Sequence, residues 1–208
     1  FHFTLDLVKK YKVGGLVFSL GGPVEQTKWL NAFQKESKVP LMTAMDAEWG
    51  VAMRLDSVMP FPWPMTLGAV KDSTLLRKIG KRMGMQEKRL GIHYSFGPTL
   101  DINTNPKNPI IGNRSYGSSP NRVIKQALAI MKGHHEAGVL TSGKHFPGHG
   151  DTSKDSHKTL PTVSLSSERL KEVEFKPYRK LINNGLTSVM VAHLDVPSIS
   201  EKGLPTSL

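Results

Sequence analysis

The 208-residue sequence contains no cysteine. That excludes disulfide staples and thiolate metal sites. It leaves the compartment open between a bacterial cytoplasm and a periplasm or cell envelope, because proteins of either can do without thiols. Long apolar runs are absent too, and no stretch approaches the roughly 18 consecutive apolar residues that a membrane-spanning helix needs. No GxGxxG turn occurs, so the dinucleotide-binding signature is missing. Acidic residues are the minority, 17 against 28 Lys and Arg, for a formal charge of +11. Nucleic-acid binding would need those cations gathered on one face or interleaved with stacking aromatics. Here they are spread along the chain, many at expected helix surfaces such as Lys78, Lys81, Arg82, Lys88 and Arg89. The expectation is a solvated basic surface with no nucleic-acid partner, compatible with attraction to an anionic cell-wall polymer.

What is present is a globular composition, 38% hydrophobic, with material for one sizeable core. Apolar runs at residues 13–19, 40–46, 92–96, 139–143 and 187–193 read as strands. Between them lie amphipathic stretches at about 25–37, from 72 or 73 to about 90, at about 120–137, and from 166 or 167 onward. Strand, loop and helix alternate five times, which predicts a parallel α/β architecture. Polar residues follow every strand: Gly21-Gly22, Asp46-Ala47-Glu48, Asp101, Lys144-His145 and His193-Leu194-Asp195. Chemistry distributed over all strand ends fits a TIM-type (β/α)₈ barrel, whose βα-loops converge on one mouth, better than a doubly wound sheet with one glycine-rich turn. Five units leave the barrel incomplete, with the first strand and the last two strands expected outside residues 1–208. Phe1 at one end and EKGLPTSL at the other read as interruptions, so one partial catalytic barrel, with no second domain visible, is expected. Met42, Met45 and Met190 are expected in its core.

The stretch from Gly143 to His157, GKHFPGHGDTSKDSH, is the most informative. A metal reading would use His145, His149, Asp151, Asp155 and His157, but Pro147 and Gly148 break the helix that an i, i+4 histidine pair requires. A P-loop fails because Lys144 is followed by His, so neither metal nor cofactor is expected. Asp155 and His157 are two residues apart, and in extended chain their side chains turn to the same side. A carboxylate there fixes the imidazole tautomer and readies it for proton transfer near neutral pH. Spacing alone equally allows both residues to tie the loop down by hydrogen bonds.

KHFPGHG followed by DSH closely resembles the long motif of family 3 glycoside hydrolases of the β-N-acetylglucosaminidase branch. Two further segments resemble the same family: Asp46 to Arg54, DAEWGVAMR, and Phe96 to Gly117, with FGPTLD, NP, NP and IGNRSYG. The resemblance runs from about Val13 to the end. It implies a retaining hydrolase that releases terminal β-linked N-acetylglucosamine, with His157 as acid then base and Asp155 orienting it. By the same carry-over Asp46 and Arg54 grip the non-reducing sugar, Arg114 approaches its N-acetyl side or adjoining hydroxyls, and Lys144 and His145 bind hydroxyls. Residue types alone also allow Asp46–Arg54 as a structural ion pair and Arg114 as a loop brace, and leave Asp101 equally open to pinning its loop or touching substrate. The implied substrate is a muropeptide or chitooligosaccharide containing N-acetylglucosamine. The Asp nucleophile of such enzymes follows the seventh strand and so is expected beyond this chain, as is any fused C-terminal domain. Phosphorolysis, or a catalytically inactive sugar-binding barrel, remains an alternative to hydrolysis.

Overall fold

The computed structural model describes residues 1–152 and 160–208. Helix α1 (His2–Tyr11) leads into β1 (Gly15–Phe18), α2 (Pro23–Glu36), β2 (Met42–Met45), the one-turn α3 (Pro64–Gly68), α4 (Ser73–Arg89) and β3 (Tyr94–Ser95). After a long loop come α5 (Pro120–Glu136), β4 (Leu140–Phe146), α6 (Ser167–Arg169), α7 (Phe175–Ile182) and β5 (Ser188–Val191). The Asp72 carboxylate caps α4 by accepting from the Thr74 amide at 2.8 Å, and Pro23 and Pro120 open α2 and α5, where a missing N–H costs nothing.

All five described strands are parallel and lie in one sheet in the order β1-β2-β3-β4-β5. A doubly wound sheet reverses its strand order at a switch point; this one never does, so the barrel-type winding expected from the sequence is the observed one. Helices cover the outer face. The largest core cluster joins Leu76 of α4, Val123, Ala127, Ile130 and Met131 of α5, and Tyr178 and Leu181 of α7 to Leu100, Ile102 and Tyr116 of the long β3–α5 loop.

The α4–α5 contact is made by small residues. A Cβ on Gly80 would strike the Ile130 carbonyl, and one on Gly133 would strike backbone atoms of Arg77 and Lys81. Beneath that contact Glu87 is fully buried, accepts from the Ser95 hydroxyl at 3.2 Å and lies 3.3 Å from His134 Nε2. Burial opposes the charged imidazole, but the Glu87 carboxylate outweighs it and holds the His134 pKa above its usual 6.5.

Of the methionines expected in the core, Met45 is fully buried and Met190 partly so, while Met42 is 51% exposed and lines an open depression with Val17, Tyr94 and Phe96. Among the described residues no helix is long and apolar enough to cross a membrane.

Candidate active site

Parallel strands carry their following loops to one end of the sheet, so residues remote in sequence meet there. Asp46 immediately follows β2, and its loop brings Glu48 and Arg54. Lys144 and His145 lie near the end of β4, and Arg114 ends a single 3₁₀ turn (Gly112–Arg114) in the loop after β3. The Lys144–His145 and Phe146–Pro147 peptides are both cis.

These side chains form one charge network. Lys144 Nζ donates to Asp46 Oδ1 at 2.7 Å and lies 2.8 Å from Glu48 Oε1. Glu48 is gripped from its other side by Arg114, whose Nε and Nη2 donate at 2.9 and 2.7 Å in a two-pronged pair. Arg54 Nη2 donates to Asp46 Oδ2 at 2.6 Å. Exposure grades across the network. The Lys144 and Glu48 side chains are 2% and 1% exposed, whereas Asp46 and Arg54 are 24% and 31% exposed and open to solvent. The floor is thus a sealed cation–anion lattice, and the rim offers polar atoms to an incoming ligand.

The electrostatics follow from that packing. Burial disfavours the Glu48 carboxylate, yet Arg114 and Lys144 more than offset it and hold its pKa down to about 2. Asp46 is likewise below its ordinary value, Lys144 and Arg54 overcoming its desolvation. Desolvation also opposes the Arg114 cation, and Glu48 reverses the effect to raise its pKa. Glu48, Asp46 and Arg114 therefore remain ionised through the whole neutral range.

A second buried carboxylate organises the β4 loop. Asp101 Oδ2 faces His145 Nδ1 at 2.7 Å and accepts from the His145 amide at 3.1 Å, while Oδ1 accepts from the His149 amide at 2.7 Å. Of the two roles open to Asp101 in the sequence, pinning the loop is the one these contacts describe. His145 Nε2 then lies 3.4 Å from Arg114 Nη2, which joins the two clusters. Asn108 supports the same loop from the β3 side, donating to the His149 carbonyl at 2.7 Å.

Asp46, Arg54, Arg114, Lys144 and His145 are therefore brought together. Glu48, which sequence reasoning left among the strand-end polar residues without a role, is the hub joining Lys144 to Arg114. Its signal was the same period-two spacing from Asp46 that drew attention to Asp155 and His157. Those two residues lie outside the described ones. His193, another of the strand-end polar residues, is exposed, with Nδ1 2.5 Å from the Ser207 hydroxyl. Asp195 is buried and holds chain together, accepting from the Gly203 amide at 3.0 Å and the Thr162 hydroxyl at 3.1 Å. Among the described residues no group of three or more His, Asp or Glu side chains is placed to hold a metal ion.

Known proteins resemble this chain in sequence and fold. A beta-hexosaminidase A of Pseudoalteromonas piscicida is 32% identical over 216 residues, covering 97% of this chain and 36% of that protein. A solved glycoside hydrolase family 3 beta-N-acetylglucosaminidase from Paenibacillus superposes with a TM-score of 0.91 at 38% identity, over 97% of this chain and 40% of the other. The beta-glucoside phosphorylase BglX, bound to 2FGlc, superposes with a TM-score of 0.92 at 29% identity, over 98% and 39%. The chain spans 36% to 52% of the length of these and other curated relatives. The family model described as the glycosyl hydrolase family 3 N terminal domain matches residues 2–208, and the chain belongs to that family.

Proposed function

We propose that the protein to which these residues belong hydrolyses terminal β-linked N-acetylglucosamine from oligosaccharides such as muropeptides or chitooligosaccharides, with retention of configuration. The observation that carries this reading is the ionised lattice at the strand ends. It gives a neutral, hydroxyl-rich ligand fixed donors and acceptors, in a chain whose relatives are named beta-hexosaminidases and beta-N-acetylglucosaminidases.

Asp46, kept ionised by Lys144 and Arg54, accepts from sugar hydroxyls at the partly exposed rim. Lys144 has a third ammonium proton beyond the two pointed at carboxylates, and Arg54 keeps further N–H donors. Arg114 serves the N-acetyl side or adjoining hydroxyls, and His145 binds hydroxyls with Lys144. His157, oriented by Asp155, protonates the glycosidic oxygen as the C–O bond breaks, while an Asp outside these 208 residues attacks the anomeric carbon. His157 then takes a proton from the water that cleaves the glycosyl ester.

Replacing His157 by Ala in the full-length protein is expected to lower kcat for chitobiose about 10²- to 10⁴-fold while leaving N-acetylglucosamine affinity nearly unchanged. Unchanged turnover would remove His157 from proton transfer, and sugar binding without turnover in the unsubstituted protein would identify an inactive binding barrel. Phosphorolysis is the second reading, favoured by the superposition on a β-glucoside phosphorylase and by an imidazole that can approach phosphate uncharged. Product analysis in phosphate buffer separates the two, N-acetylglucosamine 1-phosphate being the mark of phosphorolysis.

A further inference from the structure

One residue on from Glu48 begins a feature that the charge lattice does not use. The indoles of Trp49 and Trp63 are stacked, with centroids 4.1 Å apart and planes 13° from parallel. Trp63 is 44% exposed and Trp49 is only partly buried, in a chain that has just three tryptophans. Two large rings that remain in water contribute little to a core, and paired exposed aromatics of this kind are typical of recognition surfaces.

The segments that carry both rings are linked through the chain to the Glu48–Arg114 pair. Trp49 directly follows Glu48. Trp63 precedes α3, whose Gly68 packs so closely on the Tyr116 carbonyl that a Cβ there would collide with it, and Tyr116 is two residues beyond Arg114. The pair is also held in place before any ligand arrives. The Phe61 amide donates to the Trp49 carbonyl at 3.1 Å, Gly50 takes a positive φ of 84° with the Phe61 ring against it, and Pro60, Pro62 and Pro64 fix φ through the approach to α3.

An indole face is electron-rich, and one face of a β-linked pyranose presents only C–H groups, so the two stack without losing the hydroxyl hydrogen bonds at the ring edge. The hydroxyl-binding groups of the terminal sugar are already supplied by Asp46, Arg54 and Lys144. We propose that Trp63, backed by Trp49, is a platform for a second pyranose ring, the one joined to the terminal sugar, so that the substrate is an oligosaccharide rather than a simple glycoside. This rests on the sugar-hydrolase reading above.

The test uses full-length protein as wild type, Trp63→Ala and Trp63→Phe, with chitotriose and methyl β-N-acetylglucosaminide as substrates. Trp63→Ala is expected to lower kcat/KM for chitotriose about tenfold and to leave the methyl glycoside within about twofold, with Trp63→Phe recovering most of the loss. An equal fall for both substrates, or no fall for chitotriose, overturns the platform; the methyl glycoside reports any folding defect. If the wild type turns over neither substrate, the hydrolase reading fails by itself. Intrinsic fluorescence then still decides: chitotriose quenching in the wild type and in Trp29→Phe that is lost in Trp63→Ala upholds the platform, and absence of quenching sinks it.

Discussion

Glu48 meets Arg114 and Lys144 from a position with 1% side-chain exposure, so both cations depend on its charge. Glu48→Gln keeps the shape and removes the charge, leaving two desolvated cations with one fewer partner. A loss of about 3–5 kcal/mol in denaturant unfolding is expected, larger than an exposed pair of the same length could cause. The same residue sets an acid limit. Its folded pKa of about 2 lies below its ordinary 4.5, so its contribution is complete above about pH 4.5 and is lost as pH falls toward 2. A urea midpoint that drops across that window in the wild type and stays flatter in Glu48→Gln is the check. Asp46, Lys144 and His145 were legible in the sequence as polar groups at strand ends, whereas Arg54 and Arg114 were reached through the family resemblance. Glu48 and Asp101 were less legible. A carboxylate that holds cations or amides reads like one that holds ligand until its partners, 66 residues away for Glu48 and 44 for Asp101, are folded beside it.

The α4–α5 contact sets two opposing effects against each other. Gly133→Ala gains roughly 1 kcal/mol in helix propensity, but the added methyl has only the backbone of Arg77 and Lys81 to occupy. Overpacking against backbone costs about 1–3 kcal/mol, so net destabilisation measured by thermal unfolding is expected, where the same change on an exposed face would stabilise. The buried pair below gives an alkaline dependence. His134 binds its proton more tightly folded than unfolded, so its contribution is full below pH 6.5 and fades as pH rises through the raised value. Wild-type stability should fall over that range, and His134→Gln should flatten the curve. Element limits were readable where a capping residue or proline marked them, as at Asp72 and Pro120. The helix begun at Ser167 was not readable inside: it passes through a π-helical stretch, Leu170–Glu174, before α7, and apolar spacing does not separate i+5 from i+4 bonding. Expected strand 92–96 shortens to Tyr94–Ser95, although the flanking His93 and Phe96 amides still donate to the Thr43 and Met45 carbonyls of β2.

Across the whole molecule, strand order followed from the alternation of strand and helix, since unreversed winding places each parallel strand beside the last. The sheet's free borders follow from the same count, five units being short of the eight that close a barrel. Among the described residues β1 and β5 each have one neighbour, and Val17 and Val191, on those strands, are 60% and 41% exposed. Unpaired strand borders with apolar side chains recruit other chains. The 208 residues alone are therefore expected to self-associate with rising concentration in sedimentation velocity runs, and Val17→Lys should weaken that association. The carboxylates of Asp101 and Asp195 have a longer reach than their local bonds. Asp101 fixes the chain at His145 and His149, while Asp195 is bonded through its backbone to Pro161 and Val163, so both approaches to residues 153–159 are moored to neighbouring strand ends.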